Sequence, residues 1–194
     1  IFSGSGISGN YFNPLTSGAG IKNIVYTHTD VNNCIWRDTQ QTTVYTAPVV
    51  SFTGFLGGYC FDAPAVLLAG NPLGGTFFGN GISGNNFTPA VAGAGTHNIV
   101  YTYTDVNQCS DTDTQNVTVN PLPVVTFAGL NAEYCINEPA ALLTPNTVGG
   151  LFTGTGINNG NYFEPRIAGV GNFTIVYAYR DQFQCADTDT QTVI

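Results

Sequence analysis

One stretch, GISGNNFTPAVAGAGTHNIVYTYTDVNQC from Gly81 to Cys109, occurs three times, and that recurrence constrains the fold more than any single motif. The other copies run from Gly6 to Cys34 and from Gly156 to Cys185. Gly6 to Gly81 and Gly81 to Gly156 are both 75 residues, and the third copy carries one extra residue before Phe163. A period longer than a solenoid repeat and as long as a small domain predicts tandem modules, each with its own core. The period places residues 1–46 as the back part of a first module without its front strands, 47–120 as a second module and 121–194 as a third. Because the chain starts inside one period, it reads as a segment of a longer array. Thr46-Ala47-Pro48 and Asn120-Pro121-Leu122-Pro123 mark the junctions, since proline stiffens the backbone and donates no hydrogen bond.

Within a repeat the signals are those of short strands. Val49–Phe55 alternates, Tyr59–Leu68 carries a cysteine and an apolar patch, and Gly70-Asn71-Pro72-Leu73-Gly74-Gly75 is turn chemistry before Thr76-Phe77-Phe78. Phe87-Thr88-Pro89 reads as a short extended segment, and the longest strand is expected over Asn98–Thr104. In that strand Ile99, Tyr101 and Tyr103 share one face, with Val100, Thr102 and Thr104 on the other. Asp105-Val106-Asn107-Gln108 then makes a hairpin loop, and a return strand follows from Asp113 to Val119. Helical periodicity is absent and Gly or Pro interrupts nearly every ten residues. The expectation is all-β, a tandem array of Ig-like β-sandwich modules of about 75 residues.

The five cysteines bear on the compartment. Cys60 and Cys135 are equivalent, and each is followed by Cys109 or Cys185 later in its own module. Spacing therefore predicts two bridges, Cys60–Cys109 and Cys135–Cys185, with Cys34 left unpaired because its partner would lie upstream of Ile1. Widely spaced, repeated pairs fit an oxidising, extracellular setting better than a zinc site, for which CxxC pairs and a nearby His are missing.

Only 8% of residues are charged and the net charge is −8, which argues against a nucleic-acid partner, because phosphate binding needs clustered Lys and Arg. No apolar run is long enough for a membrane-spanning helix, so no membrane insertion is expected. His28 and His97 align with Tyr103 and Lys22, outside any catalytic motif, and read as ordinary strand side chains. No catalytic residue is assigned and no cofactor is expected, with Ca²⁺ as the one metal in question. Its candidate ligands are the recurring carboxylates Asp105, Asp111, Asp113, Asp181, Asp187 and Asp189. Asp111 and Asp113 share parity with Val117 and Val119, so an unbroken strand points both toward the core. Either a bulge near Gln115 resets the strand, or the Asp pair stands beyond the end of the sandwich, where it could hold calcium; solvated turn carboxylates are the plainer reading. Tyr101 and Tyr103 are the candidates for surface recognition.

The sequence GGTFFGNGISGNNFTPAVAGAGTHNIVYTYTDVNQCSDTDTQNVTVNPLP resembles the PKD-like, Ig-like repeats of long cell-surface and secreted adhesins of Bacteroidota, the group that includes gliding bacteria. The resemblance extends over all three copies. It implies β-sandwich modules, export to the cell surface or medium, and a stalk, adhesive or filament role. The leading expectation is a non-enzymatic extracellular structural protein whose partners are neighbouring repeats or other copies of itself. Two alternatives differ in class: a module binding a glycan or surface ligand, and accessory domains of a larger secreted enzyme.

Overall fold

The computed structural model describes all residues, Ile1 to Ile194, and is all-β, with 48% of residues in strands and 6% in helix. Repeat three shows the plan. Leu151–Thr153, Phe173–Arg180 and Ala186–Val193 form one antiparallel sheet, with the long hairpin at its heart. Ala141–Leu142, Tyr162–Phe163 and Ile157–Asn158 form another, and Phe127–Ala128 pairs with Thr144–Pro145. Phe127, Leu143, Phe152, Phe163, Ile175, Tyr177 and Val193 draw on all three groups of strands to make one buried core. These are the inward positions of alternating strands, and their rings pack edge to face: Phe127 on Phe152 at 5.1 Å between centroids, and Phe152 tilted on Tyr177 at 4.5 Å.

Chain contacts divide the molecule into two compact units that do not follow the 75-residue period. One comprises Ile1–Phe52, Ala69–Thr76 and Val100–Asp113; the other comprises Thr53–Leu68, Phe77–Ile99 and Thr114–Ile194. In the first, Phe2–Ser3, Gly20–Thr29 and Ile35–Val44 form a sheet, and Ile7–Ser8 pairs with Tyr11–Phe12. The positions that are core elsewhere are open here. Tyr26 is 42% exposed, whereas its equivalents Tyr101 and Tyr177 are 2% and 1% exposed. In the second unit the Tyr59–Cys60 strand runs parallel to the end of Ser110–Asn120, with Tyr59 opposite Val119 and Cys60 opposite Asn120.

Two expectations need correction. Phe87-Thr88-Pro89 is not extended throughout: the strand ends at Phe87 and Pro89–Ala92 is a single helical turn, matched by Pro14–Ser17 and Pro165–Ala168. Proline at the first helical position has its φ preset and loses no hydrogen bond there. One turn is too short to leave a 3.6-residue pattern. The strand expected over Asn98–Thr104 starts earlier, at Gly95, and the return strand begins at Ser110 rather than Asp113; at 11 residues that return strand, and not its 10-residue partner, is the longest of the chain.

Each closed repeat has a tyrosine whose hydroxyl is satisfied inside the fold. Tyr177 accepts from the Gly150 N–H at 2.8 Å and donates to the Thr147 carbonyl at 2.6 Å; Tyr101 does the same with Gly75 and Pro72. The glycines are needed because a Cβ on Gly150 would lie 2.3 Å from the Ala178 carbonyl and 2.6 Å from the Tyr177 ring. Replacing Tyr177 with Phe leaves a donor and an acceptor unpaired, so Tyr177→Phe is expected to cost about 1–3 kcal/mol in a urea melt. A Tyr177→Phe protein as stable as the parent would contradict this role.

Candidate functional site

Cysteines and carboxylates are the residues that recur with chemistry, and the structure redistributes both. The single disulfide joins Cys60 to Cys185, with a sequence separation of 125 and a Cα–Cα distance of 5.4 Å. Cys34 and Cys135 are exposed thiols and Cys109 is a half-buried one. The expected pairs Cys60–Cys109 and Cys135–Cys185 are therefore not formed, and strand direction explains why. In repeat three, Cys185 precedes the Ala186–Val193 strand, while Tyr134 beside Cys135 bonds the carbonyl of Ile194 at the far end of that strand. Eight residues of strand place the two cysteines about 26 Å apart, and a disulfide needs Cα atoms within about 7 Å. Repeat two has the same plan: Cys109 precedes Ser110 and Cys60 lies opposite Asn120, the two ends of an 11-residue strand. A front-strand cysteine can meet only a hairpin that abuts its own end of the sheet. The hairpin at Cys185, in the next repeat, does so.

The carboxylates hold backbone. Asp105 Oδ1 accepts from the N–H groups of Asn107 and Cys109 at 2.8 and 2.9 Å, and Asp181 Oδ1 accepts from Phe183 and Cys185, both at 2.9 Å. These are Asx turns; they set the hairpin tip, in which Gln108 and Gln184 take φ of 66° and 69°. Asp111 and Asp187 each accept from the following N–H, of Thr112 and Thr188.

Asp113 and Asp189 answer the parity question in a third way. The Phe173–Arg180 and Ala186–Val193 hairpin keeps one register from Phe173↔Val193 to Arg180↔Ala186, so no bulge resets it. Asp189 points inward with Val193 and its Oδ2 accepts from the Phe127 N–H at 3.0 Å. Gln191 donates to the Phe127 carbonyl at 2.7 Å and to Asp189 at 3.2 Å. Two side chains thus serve Phe127 as a neighbouring strand would. Asp113 accepts from the Phe52 N–H at 3.1 Å in the same manner. Asp105, Asp111 and Asp113, like Asp181, Asp187 and Asp189, lie in succession along one hairpin, yet no three His, Cys, Asp or Glu side chains gather closely enough to hold a metal ion.

Tyr101 is core and cannot serve as a surface contact; its inward face is the one it shares with buried Ile99. Tyr103, on the same face, is half-buried near the hairpin end. The opposite face carries Val100, Thr102 and Thr104, and in repeat three Arg180 at the position of Thr104 is exposed and donates to the Gln184 carbonyl at 2.6 Å. His28 is exposed, and His97 Nε2 lies 2.8 Å from the Gly93 carbonyl, a local contact four residues back in the chain. One open depression on the surface, of about 470 Å³, is lined by Pro14, Leu15, Val44 and Tyr45 among others. Spacing alone missed the Asp-Thr-Gln cap, although Asp38-Thr39-Gln40, Asp113-Thr114-Gln115 and Asp189-Thr190-Gln191 repeat it in full.

No family model matches the chain. No curated protein matches it either. Among solved structures, it is similar to a Ca²⁺-stabilized adhesin that helps an Antarctic bacterium reach out and bind ice, at 14% identity and a TM-score of 0.38, over 90% of this chain and 56% of that one. A second is a 1.5-MDa bacterial ice-binding adhesin, at 10% identity and a TM-score of 0.34, over 91% of this chain and 74% of the other. Protocadherin Gamma B2 extracellular cadherin domains 1–5 follow at 13% identity and a TM-score of 0.27, over 91% and 46%. The chain thus spans just over half of the first of these structures. Such low scores transfer nothing from those proteins to this one, and the fold stands on its own strand pairing.

Loss of the Asp189 carboxylate exposes the Phe127 N–H to a buried environment without a partner. Asp189→Ala is expected to cost about 1–3 kcal/mol by denaturant melting, with Thr190→Ala, whose side chain faces outward, near neutral. Equal effects of the two would contradict the cap. Because these carboxylates are already engaged by backbone N–H groups, the melting temperature is expected to be unchanged between EDTA and millimolar calcium. A rise of several degrees with calcium would instead establish a metal site among them.

Proposed function

We propose that this chain is a non-enzymatic structural protein of the cell exterior, whose tandem β-sandwich repeats form the shaft of a surface fibre or adhesin stalk. The observation that carries this reading is the Cys60–Cys185 bond, which ties one repeat to the next instead of closing a repeat on itself. A bond placed at a junction restrains orientation between neighbours. That property matters for a shaft and is immaterial to a catalytic site. The proline-bearing connections, from 45 to 50 and from 121 to 126, act in the same sense by limiting backbone freedom. A disulfide also persists in an oxidising compartment, which favours the extracellular setting. No helix is long and apolar enough to cross a membrane.

Small-angle scattering on the intact chain tests the reading. An elongated particle that becomes more flexible on mild reduction is expected, and negative-stain electron microscopy of native material is expected to show fibres or stalks. A compact globule, insensitive to reduction, overturns it.

A further inference from the structure

We propose that bonding between neighbours is a rule of the repeat: the front-strand cysteine of each repeat bonds the hairpin cysteine of the repeat that follows. Cys109 and Cys135 are then unfilled halves of the staple seen complete at Cys60–Cys185, and the partner that each fits is a further copy of this same repeat.

The two halves are built alike whether bonded or not. In the bonded hairpin the Asp181 N–H meets the Cys185 carbonyl at 2.9 Å, and the Cys185 N–H meets Asp181 Oδ1 at 2.9 Å. The unbonded hairpin reproduces both with Asp105 and Cys109, each at 2.9 Å. The front half keeps its tyrosine and turn contacts, although Cys60 lies in a paired strand while the Cys135 N–H is held by the Glu138 carboxylate at 3.0 Å. Beside bonded Cys60, the Tyr59 hydroxyl accepts from Leu56 at 3.0 Å and donates to Gly54 at 3.4 Å, and the Cys60 carbonyl accepts from Ala63 at 3.0 Å. Beside unbonded Cys135, the Tyr134 hydroxyl accepts from Asn131 at 2.9 Å and donates to Gly129 at 3.3 Å, and the Cys135 carbonyl accepts from Glu138 at 2.9 Å. Each thiol is thus held by its own repeat in the position that its bonded equivalent occupies. Strand length forbids the bond within a repeat, so only a neighbour can complete it. Exposure agrees: Cys185 is 0% exposed in the bond, whereas Cys135 is open to solvent and Cys109 half-buried.

The bond forms by thiol–disulfide exchange with a small disulfide such as oxidised glutathione. One cysteine thiolate attacks it, expelling one glutathione thiolate; the second cysteine thiolate attacks the mixed disulfide and expels the other. Two protein thiols and one oxidised glutathione become one protein disulfide and two reduced glutathiones, which carry away both electrons and both protons.

Residues 47–75 joined ahead of Ile1 of the intact chain supply repeat one with its own front strands and a front-strand cysteine, since Ile1 stands where Thr76 stands in repeat two. After expression under a glutathione redox buffer, alkylation of free thiols and non-reducing peptide mapping, the added cysteine is expected in linkage with Cys109. Cys34 and Cys135 are expected to be alkylated. The Cys60–Cys185 peptide identifies folded molecules in the same digest, so only those are scored. Linkage of the added cysteine to Cys34, an added thiol left free in molecules that hold Cys60–Cys185, or absence of the Cys60–Cys185 peptide from a soluble, β-rich chain each overturns the rule. In a Cys109→Ser version the added cysteine is expected to stay free; its capture by Cys34 would also count against the rule.

Discussion

A buried backbone N–H must find a partner, and at Phe127 that partner is a carboxylate. The strand carrying Phe127 is only two residues long and pairs on one side with Thr144–Pro145. Asp189 and Gln191 reach across from the long hairpin and close the other side, so the first strand is fixed to the sheet by side chains. Much of the architecture follows from that contact. It requires an inward-facing acid and amide on the return strand, hence an unbroken hairpin register and the Asp-Thr-Gln sequence found in every repeat. Phe127 is thereby seated against Phe152, and through it against Tyr177, whose hydroxyl in turn holds the Gly149-Gly150 turn.

The fold was readable from the residues because the repeat writes each signal three times. Glycine and proline punctuate the strands, alternation is strong at Ile99–Tyr103, and the junctions carry proline. Other features depend on information that alternation does not hold. Both faces of the long strand favour β structure, so parity groups Tyr101 with Ile99 but does not say which face is covered. A tyrosine looks suited to a surface until its hydroxyl is seen to have two partners inside. Parity points Asp113 and Asp189 inward, yet the sequence alone suggests a bulge or a place beyond the sandwich end, because the strand whose backbone they serve lies about sixty residues away in sequence.

Cysteine pairing shows the limit most plainly. In a periodic chain every front-strand cysteine has the same spacing to its own hairpin as its neighbours do, and a pairing shifted by one period is equally regular. Only three-dimensional direction separates the two, since the front strand lies beside the end of the return strand and the hairpin beside its start. The hairpin tips are shaped by an Asx turn and a left-handed residue, a local arrangement that the sequence does display; the neighbour that a tip meets is set by the junction.

The Cys60–Cys185 bond also determines how a load would travel along the chain. Tension applied at the two termini runs from Ile1 to Cys60, crosses the sulfur–sulfur link and leaves through the last strand. The polypeptide between the two cysteines, about 430 Å if fully drawn out, lies on a branch that bears no axial force. Most of repeat three and the larger part of repeat two are therefore shielded from that tension, and their unfolding for any other reason leaves the path between the ends unchanged. The covalent connection makes the molecule inextensible over that interval, whatever the state of the sandwiches it spans.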